Sequence, residues 1–293
     1  MHVLTSLRRS LAILGAAFLL ASTAIAESNI ELPRLSPGAS VKENIGIDSI
    51  SVSIDYHRPG VKGRTIWGEL VPYGENWRAG ANQATLFKLS HDAKVGGQPL
   101  TAGGYAFFVL PSKDKWTLIF NKKSDQWGAY FTDAKEDALK LEVIPAASPM
   151  TEWLTYSIEP AGDDTVTVSL SWEKLKVSFP VTIDVRAAVE KQIADELAAQ
   201  PEDDETLRVA AKYFFERGEK TDQCLVWVRK SRKIKDSFWG AELEGKILQA
   251  QGKTTDGISL LEKAIVMAEG KAPKAWQDGV RKTIAEWKKA KGK

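Results

Sequence analysis

The residues best able to do chemistry lie between Tyr56 and Thr85, a stretch rich in arginine, tryptophan, glycine and proline. It interrupts two runs of strand-like alternation, and a long structured loop inside a compact domain usually carries function. Guanidinium groups bind carboxylate or phosphate through paired hydrogen bonds, and indole faces stack on sugars or cations. We therefore expect a site for a small anionic or carbohydrate ligand, formed by Arg58, Arg64, Tyr73, Trp77, Arg78, Asn82 and Thr85.

The same composition supports a purely structural alternative. Arginines that stack on tryptophans and donate to loop carbonyls also satisfy the buried backbone groups of a long irregular loop. Trp67 and Trp77 are each flanked by Gly or Arg, which favours them as plugs of the core over stacking platforms. The two alternatives differ in whether the loop lines a cavity or is packed solid.

Motifs for catalysis are missing from the sequence. It contains neither G-x-S-x-G nor H-E-x-x-H, and His57 and His91 are the only histidines beyond the first 26 residues. We predict no catalytic residue, no metal site and no cofactor. The alternative is a hydrolase or isomerase on a jelly-roll-like scaffold, which would need a pocket holding His57 or a carboxylate beside the arginines.

Residues 1–26 have the layout of a secretory signal peptide. Arg8 and Arg9 precede an apolar run, and small residues follow as far as Ala26, after which we expect cleavage. The apolar run is short for a bilayer span, which disfavours a retained anchor. The arginine pair also allows twin-arginine export, although the residues after it match that signal poorly. The predicted location is periplasmic or secreted.

Charge and cysteine content exclude several classes of protein. The sequence has 40 basic and 38 acidic residues, and the leader contains two arginines and no acid, so the expected mature chain is balanced. Such a chain has no bulk attraction for nucleic acid, and no later apolar run predicts stable membrane insertion. Cys224 is the single cysteine, so no intramolecular disulfide can form, and we expect a buried, unreactive thiol.

Residues 45–185 are predicted to form an antiparallel β-sandwich or jelly-roll-like domain, preceded by an extended lead-in over residues 27–44. In Ile50–His57 the apolar residues alternate strictly, as in a strand with one buried face. Similar runs along the region predict about eight to ten short strands in total, with turns at positions such as Gly96-Gly97. The final two runs are Val166–Trp172 and Val177–Ile183, and Pro180 predicts an edge or a bulge in the second.

Residues 186–293 are predicted to be helical, because the apolar period changes from two to about 3.6 near Ala187. Aligning Gly218 with Gly252 reveals an internal repeat of 34 residues, the period of tetratricopeptide units. Two repeats rarely bury their faces alone, so we expect a capping helix on each side and five or six helices in total. Such repeats would offer a groove for a protein partner.

The β region also resembles a known family, the bacterial domain of unknown function 2911. The resemblance extends to about Ile183 and implies an exported β domain without an assigned activity, joined in some members to helical repeats. It supplies no catalytic residue. The residues that carry it are Tyr56-x-Arg58-Pro59, Gly63-Arg64, Trp67-Gly68, Leu70-Val71-Pro72-Tyr73-Gly74, Trp77-Arg78-x-Gly80-Ala81-Asn82, Ala84-Thr85, Gly97 and Ala102-Gly103-x-Tyr105.

Overall fold

A computed structural model of the chain describes residues 33–130 and 132–291. The signal peptide predicted over residues 1–26 lies outside these ranges. Within them an antiparallel β region comes first and a region of six α-helices follows. None of the described helices is long and apolar enough to cross a membrane.

Ten strands in the described ranges form two antiparallel sheets. They are β1 (Gly38–Ile45), β2 (Ile47–His57), β3 (Thr85–Leu89), β4 (Ala93–Val95), β5 (Gln98–Leu100), β6 (Gly103–Leu110), β7 (Trp116–Asn121), β8 (Asp137–Val143), β9 (Ala146–Pro160) and β10 (Thr165–Thr182). One sheet has the order β1-β2-β3-β6-β7-β8 and the other the order β5-β4-β10-β9. Most buried residues of both sheets form one hydrophobic core, and Ala84, Ala106, Phe108 and Ile119 form a second, smaller cluster.

The alternation of apolar residues determines which face of each strand is buried. In β2 the side chains of Ile50, Val52, Ile54 and Tyr56 are buried, as the sequence predicts, and the residues between them are partly exposed. In the first half of β10 the residues predicted to face inward, Val166, Val168, Leu170 and Trp172, are also buried. The period of two therefore identifies the core of this region directly.

Three details of the β region differ from the expectations. Residues 38–44, expected as part of an extended lead-in, belong to β1, which pairs with β2 along its length. The two runs predicted at the end of the region are one continuous strand, β10, whose pairing with β9 shifts around Glu173 because that residue has a φ of +56°. The strand that contains Pro180 was expected at an edge, but β10 lies between β4 and β9; Pro180 lies beyond Lys176, the last residue that pairs with β9, and its carbonyl accepts from the amide of Gly96.

Six helices follow the β region. They are α1 (Val185–Ala199), α2 (Asp204–Glu216), α3 (Thr221–Ile234), α4 (Phe238–Ala250), α5 (Thr254–Ala268) and α6 (Lys274–Lys291). Helices α2 and α3 pack together, as do α4 and α5. The aligned glycines Gly218 and Gly252 have φ values of +70° and +80° just after α2 and α4, where a left-handed residue ends a helix. Cys224 is buried in the helical core, as expected, and burial raises the pKa of its thiol.

Close contact between α4 and α5 depends on two glycines. A Cβ atom on Gly245 would lie 2.9 Å from the backbone oxygen of Gly257, and a Cβ on Gly257 would lie 2.7 Å from the backbone oxygen of Gly245. Both distances are below normal contact, and a backbone oxygen cannot move away as the end of a side chain can. Glycine at these two positions therefore brings the two helix backbones together, at the expense of intrinsic helix propensity.

Replacing Gly257 with Ala should lower the free energy of unfolding by about 1–2 kcal/mol, because overpacking outweighs the gain in helix propensity. Gly279 in α6 is the matched control, since a Cβ there would meet nothing within 4 Å. Gly279→Ala should instead stabilise the protein by about 0.5–1 kcal/mol. Urea unfolding followed by circular dichroism would measure both, and equal signs for the two variants would contradict the close approach.

Candidate functional site

The loop between β2 and β3 joins two strands of the same sheet, contacts strands of both sheets and borders a cleft of the β region. On one side it is held by β9, where the amide of Val61 donates to Glu152 O and the amide of Leu154 donates to Pro59 O. On the other side Trp77 and Val109 of β6 exchange two backbone hydrogen bonds of 2.8 Å. Because β9 and β6 belong to different sheets, the loop is fixed at both ends of its path. It bounds a cleft of about 790 Å³.

Tryptophans form the inner wall of the cleft. Trp77 stacks on Trp172 of β10 with ring centroids 5.7 Å apart, and Trp67 contacts both rings edge-on. Trp116 of β7 completes the cluster at 4.5 Å from Trp67. Trp67 and Trp77 thus pack against the core, as their sequence context favours, while Trp77 and Trp172 also line the cavity. The loop is neither wholly packed nor wholly open.

Three cations and one carboxylate line the cleft. They are Lys62, Arg64, Arg78 and Glu75, so the described lining carries an excess of two positive charges. The ion pairs of the described β region lie elsewhere and include none of these cations: Lys88 with Asp55, Lys115 with Glu142, and Lys140 with Asp137. An anion entering the cleft would therefore meet cations that no described carboxylate neutralises.

Arg64 and Arg78 differ in how their guanidinium groups are used. Arg64 donates from Nε to Val61 O at 3.1 Å and from Nη2 to Gly60 O, so it closes the turn that contains it and still borders the cleft. Arg78 makes no such bond: its Nε is buried and has no acceptor among the described residues. The guanidinium of Arg64 thus has a structural role, whereas no described hydrogen bond uses the guanidinium of Arg78.

The backbone that carries Arg78 is held in an unusual conformation. Ala79 has a φ of +51°, in the left-handed region that L-residues other than Asn and Asp rarely adopt. Its carbonyl accepts hydrogen bonds from Thr85 Oγ1 at 3.0 Å and from Tyr156 Oη at 2.8 Å. Both donors are buried, and burial raises the pKa of Tyr156 well above its ordinary value. Backbone strain of this kind persists where surrounding contacts over-determine it, often at binding sites.

Only three of the seven residues expected to bind a ligand line the cleft: Arg64, Trp77 and Arg78. Arg58 instead donates to Leu154 O and Thr155 Oγ1 of β9, and Thr85 supports the backbone at Ala79. The other two residues also act through structure. Tyr73 packs over Gly68, and Asn82 donates from Nδ2 to Ser36 O at 3.2 Å. Spacing along the loop could not separate these roles, because the loop folds back on β9.

Several lining residues were absent from the sequence-based set. Trp172 was recognised only as a core residue of a strand, and Tyr130 comes from a loop between β7 and β8 that carries no motif. Leu35 and Ser36 belong to the segment before β1 and border the cleft because Asn82 and Arg58 bind that segment. Lys62, which also has a positive φ of 49°, was the one missed residue inside the Arg- and Trp-rich stretch that carries a positive charge.

His57 does not reach the cleft. It borders a separate hollow of about 520 Å³ together with Trp127 and Gln126. Its Nε2 lies 3.3 Å from Nη1 of Arg34. Burial and the charge of Arg34 lower the pKa of His57, which favours the neutral imidazole. An acid or base at position 57 would therefore act outside the cleft that Arg64 and Arg78 line.

Comparison with known families supports the resemblance seen in the sequence. Residues 36–181 match the family model described as protein of unknown function (DUF2911). The match includes the whole loop from Arg58 to Ala84 and every strand of both sheets, apart from the last residue of β10. No curated protein and no solved structure matches the chain.

Proposed function

We propose, starting from a β region that matches the DUF2911 family model, that the protein is an exported, non-enzymatic binding protein whose cleft holds a small anionic or carbohydrate ligand. One observation carries the proposal. A cavity of about 790 Å³ brings together Lys62, Arg64 and Arg78 beside indole rings, and no described carboxylate pairs with these cations. Ligand sites combine an apolar wall with a few fixed polar groups in this way.

We also propose a specific arrangement for the two sheets and for the six helices. We take the two sheets as a sandwich of jelly-roll type, because they share one core. Helices α2 to α5 are taken as two tetratricopeptide-like repeats, since Asp204 and Phe238, the first residues of α2 and α4, are 34 positions apart. Helices α1 and α6 would then be the caps, and the repeats would mediate protein interaction.

Ligand-induced thermal shifts would test the proposal. Glucuronate, citrate, inorganic phosphate and glucose are suitable probes, because they vary charge while remaining small enough for the cleft. A ligand that binds only the folded state raises the melting temperature, and the shift grows with the logarithm of the ligand concentration relative to its Kd. We expect a shift with at least one anionic probe, and we expect Arg64→Ala combined with Arg78→Ala to abolish it. Each charge-assisted hydrogen bond lost should weaken binding roughly tenfold or more.

The matched control is Arg58→Ala, which removes the hydrogen bonds to β9 and leaves the described lining unchanged. This variant should melt at a lower temperature and keep its ligand-induced shift. Because Arg64 also closes a turn, Arg78→Met alone should accompany the double variant as the cleaner test of the cleft. If no probe shifts the wild type, or if Arg78→Met leaves the shift intact, the cleft is not an anion site.

The enzyme alternative, a hydrolase or isomerase, would need an acid or base beside the arginines. Glu75 is the one carboxylate among the described lining residues, and His57 borders the other hollow. General acid–base chemistry usually requires a group within hydrogen-bonding reach of the substrate. Glu75 is exposed at the cleft, so solvent surrounds most of its side chain.

A further inference from the structure

An apolar groove lies between helices α1 and α2 and has a volume of about 300 Å³. No side chain of α1 is buried, so this helix keeps part of its apolar surface open. Val209 of α2, which lines the groove, is 46% exposed. The other apolar residues of the lining are Val189, Ile193, Ala210 and Tyr213. The groove therefore exposes apolar surface of the kind that marks binding sites.

The later helices show what covers an equivalent surface. Leu243 of α4 lies 34 positions after Val209 and is buried. Ile247 of α4 lies 34 positions after Tyr213 and is buried as well. Both belong to one buried cluster with Phe214, so it is α2 that packs over them. Because each unit of a repeat stack covers the apolar face of the next, the groove between α1 and α2 matches the position of one more helix.

Acidic side chains border the groove. Its described lining contains the carboxylates of Glu196 and Glu205 and neither lysine nor arginine. Arg208 pairs with Glu205 at 3.5 Å, but Glu205 is largely exposed there, and such surface pairs contribute little. Residues 190–205 as a whole contain seven acidic residues and a single lysine. An apolar surface with an acidic border favours a cationic occupant.

A second copy of the chain does not fit this requirement. Two such grooves placed face to face would bring Glu196 and Glu205 of both copies together, and like charges repel. Helix α6 is basic, but its apolar side chains are already in use: Val280 is buried, and Trp287 lies over Gly257 of α5. A helix of a different protein is therefore the better occupant.

We infer that the groove between α1 and α2 binds an amphipathic helix of a partner protein, whose apolar stripe enters the groove and is flanked by lysine or arginine. The inference rests on the protein interaction proposed for the helical region, and it specifies the site and the chemistry of the partner. Helices that bind in grooves use apolar residues three or four positions apart. From Glu205 to Tyr213 the groove follows α2 for about 12 Å, or roughly two helical turns, so two or three such residues fit.

Isothermal titration of the full chain with two synthetic helical peptides would test the inference. Both peptides are about 18 residues long and have the same leucine stripe on an alanine helix. The positions beside the stripe are lysine in one peptide and glutamate in the other. The lysine peptide should bind tighter than the glutamate peptide by about tenfold or more. Added salt should weaken its binding, because exposed charges are screened.

Variants of the groove sharpen this test. Glu196→Lys combined with Glu205→Lys should reverse the preference, so that the glutamate peptide binds more tightly. Val209→Lys places a charge on the apolar surface and should weaken the lysine peptide by about tenfold or more. The matched control is Val226→Lys on α3, because Val226 is 59% exposed and lies outside the described lining; affinity should change less than about twofold. All four positions are exposed, so the variants should fold normally, which circular dichroism would verify.

Photo-crosslinking would locate the peptide without any change to the protein. A benzophenone group in the leucine stripe of the lysine peptide should attach between Val189 and Tyr213, as mapped by mass spectrometry. Equal affinity for both peptides, or crosslinks confined to other helices, would overturn the groove as the site. A dimer of the unliganded chain that Val209→Lys dissociates would overturn it too, since a second copy would then be the occupant. If neither peptide binds, the inference fails, whereas the anion cleft is judged independently by its own thermal shifts.

Discussion

Replacing Glu244 with Ala should lower the free energy of unfolding by about 3 kcal/mol. Glu244 of α4 is 7% exposed, and its carboxylate accepts from Nε of Arg229 at 2.8 Å and from Nη1 of Arg232. Removing the carboxylate leaves the guanidinium of Arg232 almost buried with one remaining partner, Asp236. Arg232 then keeps only part of its compensation, and breaking a buried ion pair costs more than the pair contributed, which is why the expected loss is large.

Two further variants separate the ion network from simple truncation. Glu262→Ala removes an exposed carboxylate that pairs with Lys288, and it should change stability by less than about 1 kcal/mol. Glu244→Leu combined with Arg232→Met removes both nearly buried charges and should recover most of the loss, because well-packed apolar side chains can replace a buried pair. Urea denaturation of the four proteins measures these differences. A loss for Glu244→Ala no larger than that for Glu262→Ala would show that the network is solvated.

The same network joins charges on neighbouring helices. Arg229 and Arg232 lie on α3, Glu244 lies on α4, and Lys263 of α5 pairs with Asp236 between α3 and α4. One chain of charges therefore links three consecutive helices across the boundary between the two expected repeats. Paired charges of this kind fix the register of neighbouring helices in addition to any effect on stability.

Local patterns in the sequence were sufficient to predict an antiparallel β region followed by a helical region. Alternation identified the buried face of β2, and the 34-residue spacing of Gly218 and Gly252 located the turns after α2 and α4. The patterns failed where pairing partners decide the structure. Residues 38–45 form a strand because β2 offers them an edge, and no periodic signal reveals that edge. Glu173 stays within β10 because pairing with β9 continues past a bulge that resembles a break in the sequence.

The arrangement of the candidate site was harder to predict, for a related reason. Residue type and spacing selected a loop that borders a cleft, and three of the selected residues, Arg64, Trp77 and Arg78, line that cleft. The direction of each side chain depends on contacts with β9 and with the segment before β1, which are 96 and 46 positions away for Arg58 and Asn82. Arg58 and Asn82, which were predicted to contact a ligand, instead hold the loop in place through long-range hydrogen bonds. Their spacing along the sequence could not reveal these partners.

Trp172→Ala should remove about 4 kcal/mol of stability from the β region and lower its melting temperature by roughly 10 °C. The side chain is 1% exposed and packs against both Trp67 and Trp77, so its removal leaves a cavity at the point where the loop meets the core. The surrounding rings are held by their own backbone contacts and can collapse only partly into the space. Differential scanning calorimetry would measure the transition of the β region separately from that of the helices.

The control variant is Trp127→Ala, which removes an indole that is 57% exposed. Stability should then change by no more than about 0.5 kcal/mol, since little packing is lost. A large loss at position 172 with little at 127 would show that the tryptophan cluster supports the cleft as well as lining it. Similar small losses for both variants would contradict the packed tryptophan cluster.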